Sequence, residues 1–275
     1  TLTGNASDNK DVPSYGYTYG YGMAAEDASN NTIATDSGSV TVTGRNSSYC
    51  NWGAGSGMNA ENASRNTITT NSGAVTVTGT SIGAGFTYGM ESHDHGSNSI
   101  ATKSGDVTVA TTGSGYGYFA DGSGMGTTSN DGSNTITTDS GSVTVIGTGS
   151  AFGNGMDGSY SGSSNTITTG SGAVTVTGIG TNGGSGTGNG MSAGASGSNS
   201  ITTDSGNVTV SGTGTTVGRG MLAINRSNTI TTNSGEVSVS GSSADSGYGM
   251  FAKSQGVNMI ESTAGSPLTV TITAS

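Results

Sequence analysis

Apolar side chains in this chain fall in short β-branched runs that alternate with threonine or serine, as in NTITTDSGSVTV at residues 134–145. Alternation over four to eight residues predicts half-buried strands, because successive strand side chains point to opposite faces. In the first run Asn134, Ile136 and Thr138 share the inner face, leaving Thr135 and Thr137 outside. In the second, Val143 and Val145 point in and Thr144 points out. Between them lies Asp139-Ser140-Gly141, a turn whose glycine is expected to take positive φ. A third strand-like piece, Gly-Met-x-small, precedes each such pair, as in Gly57-Met58-Asn59-Ala60. No stretch carries helical periodicity with good helix formers.

The three pieces recur together. The Gly-Met methionines are Met23, Met58, Met90, Met125, Met156, Met191, Met221 and Met250, spaced by 29 to 35 residues. An isoleucine follows each, and a valine lies seven residues beyond it in the first seven repeats; in the last, Leu268 is expected to take that place. Length varies only between the valine segment and the next Gly-Met, so a fixed core carries one tolerant loop per repeat. An inward asparagine stands two residues before each isoleucine: Asn31, Asn66, Asn98, Asn134, Asn165, Asn199, Asn228 and Asn258.

Amides in such register are hard to place in a sandwich or hairpin meander. In stacked coils each can bond to the next, about 4.8 Å away. One coil alone buries too little apolar surface to offset the ordering of its backbone, so the coils must stack. The expected fold is all-β: a single-stranded β-solenoid of about eight coils of 29–35 residues, three short strands per coil, in one domain covering residues 1–275. Residues 1–22 form a partial N-terminal coil with a Tyr/Gly-rich lead-in, and residues 250–275 the last coil and a terminal strand. The methionine column is read as core filler beside glycine-rich strands. Residues Thr1-Leu2-Thr3-Gly4 match Thr41-Val42-Thr43-Gly44, so both ends are expected to be open and to invite self-association.

Composition changes this picture little. The 52 glycines and a 29% apolar content would suit a disordered chain, but disorder needs no register. Seven Lys and Arg against seventeen Asp and Glu give a net charge of -10, which leaves no basic footprint for nucleic acid. No apolar run approaches the ~20 residues of a membrane span, so no membrane insertion is expected in this segment. Cys50 is the sole cysteine and excludes an internal disulfide framework.

Repeats of the type YGM-x-A…SN-NTIT-x-SG-x-VTVTG, here residues 21–44 and 248–252 with their continuation, resemble the passenger regions of bacterial autotransporter surface proteins. The resemblance implies a right-handed parallel β-helix, an extracellular or cell-surface location, and a role in adhesion or aggregation. Neither a signal peptide nor a membrane barrel is recognisable in the sequence, and both a passenger segment and a fibre subunit fit it.

Candidate chemistry is sparse. No catalytic, cofactor or metal site is expected. Asp36, Asp139 and Asp204 share a turn slot with Asn71, Lys103, Gly170 and Asn233, the pattern of a solvated turn residue. His93-Asp94-His95 contains both histidines, in a variable segment with no repeating ligand beside it. Aromatic residues form the candidate contact surface: Tyr15, Tyr17, Tyr19 and Tyr21 alternate, while Trp52, Tyr116 and Tyr118, with Tyr49, Phe86 and Phe152, fall in the variable loops. Such rings can stack on glycans or bury a neighbouring protein. The functional expectation is therefore a non-enzymatic extracellular structural or adhesive protein, stacking end to end and contacting cell-surface glycans or proteins. An ice-binding solenoid using outward pairs such as Thr67/Thr69 and Thr135/Thr137 is the alternative; a polysaccharide-active enzyme ranks third.

Overall fold

The computed structural model describes residues 1–6, 18–47, 53–82, 85–114, 121–159, 161–181, 186–194, 196–262 and 268–275. They form a β-solenoid of stacked parallel coils with three strands per coil, and no helix occurs among them. Three sheets run along the axis. The Met sheet has eight strands, from Met23–Ala25 to Ser246–Lys253; the Asn sheet has eight, from Asn30–Thr35 to Val257–Ser262. The Val sheet has nine, from Leu2–Ala6 to Val270–Ala274. A further short pair joins Thr18–Tyr19 to Gly53–Ala54.

Like pairs with like. Ile68, Ile100, Ile136 and Ile167 are successive register partners, as are Met58, Met90, Met125 and Met156. Met, Ile and two Val from each central coil fill the interior at 0–1% exposure. Register is unambiguous because a slip of one residue would turn each buried set to solvent. One assignment from the sequence changes: Val237 pairs with Val270, so Val270 rather than Leu268 takes the valine position of the last coil. Leu268 precedes that strand and, partly buried, packs against the core.

The Met strands are longer than the Gly-Met signature. In the central coils they begin four residues before Met, as in Phe86–Ser92 and Phe152–Gly158. Phe86 and Phe152 thus open strands and do not lie in loops, because residues without alternation pair there through backbone alone. Glycine makes that possible. A Cβ on Gly178 of the Val sheet would lie 1.9 Å from the Asn189 carbonyl oxygen and 2.4 Å from that of Gly153. The two sheets therefore meet backbone to backbone along this seam. Thr111 stands where Gly79 stands one coil earlier, and pairing with the next strand, Val143–Gly149, stops at Ala110.

Turn chemistry also departs from expectation. The residues with positive φ lie between the Met and Asn strands, at Asp27-Ala28, Asn62-Ala63 and Asp94-His95, and not at the Ser-Gly turn. Left-handed backbone is costly for alanine. It is held here by inter-coil bonds: Ala28 N–H donates to the Asn62 carbonyl and Ala63 N–H to that of Asp94, both at 2.9 Å. At the Ser-Gly turn glycine serves closeness, since a Cβ on Gly73 would sit 2.1 Å from the Gly38 carbonyl oxygen one coil below.

Candidate functional site

The asparagine column is a continuous hydrogen-bonded ladder. Each Nδ2 donates to the next Oδ1, from Asn31 to Asn66 at 3.1 Å through to Asn228 and Asn258 at 2.9 Å. The second amide hydrogen goes to the carbonyl one residue past Met, for example Asn134 to Gly126 at 2.8 Å and Asn199 to Ser192 at 2.6 Å. The ladder thus also locks the corner between Met and Asn sheets. The methionine column lies in the core, with Met58 through Met221 fully buried and Met250 partly so at the last coil.

Of the aromatic candidates, Tyr15, Tyr17, Trp52, Tyr116 and Tyr118 lie outside the described residues. Tyr19 is half exposed and stacks on Tyr21 with ring centroids 5.6 Å apart. The outward hydroxyl pairs do align, but Ala34, Ala101, Met259 and Glu261 interrupt them. Only from Thr135/Thr137 to Thr229/Thr231 is the array unbroken, across four coils. His93 Nε2 meets Glu61 Oε2 at 2.7 Å and His95 Nδ1 meets Asp131 Oδ2 at 3.4 Å, two polar contacts joining successive coils.

A feature that repeat reading missed lies on the outer face of the Met sheet. Both Gly and Met of each pair turn inward: a Cβ on Gly89 would touch Val109 Cγ1 at 2.3 Å, and Met90 fills the core. The strand must bend there, so side chains two before and one after Met converge outside. A Cβ on Gly126 would lie 3.5 Å from the Ser123 Cβ, and Asn154 Nδ2 donates to Asp157 Oδ2 at 3.3 Å across the same bend. The result is a longitudinal row of side chains along this bend, the outer groove, largely buried from Ser56 to Ser192 and changing in type from coil to coil. Ser56 Oγ donates to Glu91 Oε2 at 2.6 Å; Tyr88 covers Gly126; Asn189 Nδ2 donates to Asn154 Oδ1 at 2.9 Å. Asn59 is fully buried in it with both amide atoms unpartnered. The sequence signal was weak: the residue after Met differs in every repeat, and the one two before Met is Tyr, Ser, Asn or Arg.

Burial in the groove shifts its acids. Glu91 is pushed up by desolvation, against the Ser56 hydrogen bond that lowers it. Asp157 is pushed up to about 6 by desolvation, against hydrogen bonds from Ser159, Asn154 and Ser192. Asp121 rises to about 7 through desolvation and the nearby Asp157 charge. Acids raised on folding stabilise the fold most below their unfolded values, and that contribution is lost as pH rises through the folded ones. For Asp157 the change from 3.8 to about 6 corresponds to roughly 3 kcal/mol. The midpoint of denaturant unfolding is therefore expected to fall from pH 5 to pH 8, and Asp157→Asn to flatten the fall. A midpoint that holds or rises across that interval would contradict the assignment.

No protein-family model, curated protein or solved structure matches the chain, so its identity stands at the level of its architecture: a β-solenoid of parallel coils.

Proposed function

We propose that the chain is a non-catalytic structural and adhesive segment of an extracellular or cell-surface protein, of the autotransporter-passenger kind, with the coil stack as rod and the outer groove and loops as contact surfaces. The observation that carries this reading is the unbroken amide ladder through eight coils. It makes every layer a template for the next and builds length rather than a catalytic cleft, at about 4.8 Å per coil or roughly 40 Å in all. The terminal coils support layering as well. The first leaves a recess of about 360 Å³ lined by Leu2, Met23, Asn31 and Ile33 among others. The last exposes Val270 and Ile272, at 40% and 53%. Such edges favour contact with further coils or with a second copy. The four-coil hydroxyl patch, about 7 by 14 Å, is far smaller than the area a specific interface buries.

Electron microscopy of the purified chain across a concentration series tests the proposal. Rods that lengthen by end-to-end association are expected. Monodisperse particles at every concentration would remove the fibre component, and cleavage of any member of a polysaccharide panel would replace the reading with an enzymatic one.

A further inference from the structure

Arg219 is the cation that the solenoid draws into its outer groove, on the strand Val217–Ile224. Its guanidinium carbon lies 5.1 Å from the Phe251 ring centroid and 5.9 Å from that of Tyr248, the register neighbour of Arg219 one coil on. The two rings are tilted by 56° with centroids 5.2 Å apart, forming two walls around the charge. No carboxylate pairs with it among the described residues, although the chain has an excess of acids. Its Nε is buried without a partner, and so is Oδ1 of the neighbouring Asn189. Aromatic faces offset only part of the cost of desolvating a guanidinium.

Three requirements follow for whatever completes the site. It must bring an anion matching the planar donor fork of arginine. It must bring a hydrogen-bond donor for Asn189 Oδ1, and a face that lies against Tyr248, which is 39% exposed. An acidic sugar has all three: a carboxylate, ring hydroxyls and a C–H face. A glutamate side chain has the first alone. Arg226 and Lys253 belong to the same two coils, so residues 217–262 set three cations against Glu236, Asp245 and Glu261 and carry no net charge in a chain whose total is -10.

We propose that the groove around Arg219, Tyr248, Phe251 and Asn189 is a binding subsite for a uronic-acid residue of a polysaccharide. The uronate carboxylate accepts from the guanidinium, its ring packs on Tyr248, and a hydroxyl donates to Asn189 Oδ1. This deepens the adhesive part of the proposed function by naming a ligand class.

Calorimetric titration of the whole chain with a short oligoglucuronate tests it, with the neutral cello-oligosaccharide of the same linkage and poly-glutamate as comparisons. Oligoglucuronate is expected to bind and the other two to bind at least about tenfold more weakly. Arg219→Gln should weaken oligoglucuronate binding by about tenfold or more, and Tyr248→Ser by a few fold, with unfolding midpoints of both variants close to that of the parent chain. No binding of oligoglucuronate, equal binding by poly-glutamate, or binding indifferent to Arg219→Gln would each overturn the assignment. Rods that fail to bind uronate would sink this site alone, whereas uronate binding by a compact monomer would sink the rod reading alone.

Discussion

Replacing Asn134 by leucine is expected to destabilise the folded chain by about 3–9 kcal/mol. The side chains are similar in size, so the loss is one of hydrogen bonding and not of volume. Asn134 accepts from Asn98 Nδ2 at 2.9 Å, and donates to Asn165 Oδ1 at 3.0 Å and to the Gly126 carbonyl at 2.8 Å. Leucine would leave one donor and two acceptors buried and unpaired, each costing about 1–3 kcal/mol. The same change at Asn31, which stands partly exposed at the first coil, should cost much less because water can reach its neighbours. Denaturant unfolding followed by circular dichroism reads both variants. In a stack held by neighbour contacts the transition of Asn134→Leu should also broaden or split, since the stacks on either side become separable. Equal stability of the two variants would show that the amides are passengers in the register and not a cause of it.

Gly178→Ala is expected to be worse, costing more than about 4 kcal/mol or abolishing folding. The added methyl would meet two carbonyl oxygens and a carbonyl carbon, all backbone, at 1.9–2.5 Å. No side-chain rotation relieves such a clash; the Val and Met sheets would have to separate along the seam. Gly194→Ala is the matched control, because the nearest atom to its new Cβ is Ser159 Oγ at 3.6 Å. That variant should be neutral or up to about 1 kcal/mol more stable, since alanine narrows the unfolded ensemble. Comparable melting of the two alanine variants would mean that the seam is loose and that glycine is present there for other reasons.

The repeated inward positions were legible in the chain alone. Asn66, Ile68, Val75 and Val77 are assigned to their faces by alternation, and their recurrence at fixed offsets aligns one coil with the next. Both signals are local, so no knowledge of the closed coil is needed to read them. The left-handed turn was not legible: Ala28 and Ala63 are poor indicators of positive φ, and only the bonds from the following coil hold them there. Leu268 was misassigned to the valine position because the last turn departs from the regular spacing, whereas the pairing of Val270 with Val237 depends on the strand already in place.

The groove needed three dimensions entirely. Tyr88 and Glu91, Asn154 and Asp157, and Arg219 and Leu222 are pairs three residues apart, which a straight strand would send to opposite faces. They share one face because the Gly-Met step bends the strand around valines contributed by another sheet, as Val109 does for Gly89. Alternation along one segment determines what is buried. Which outer faces become concave is set by how three segments, far apart in the chain, close on one another, and that depends on contacts no single segment contains.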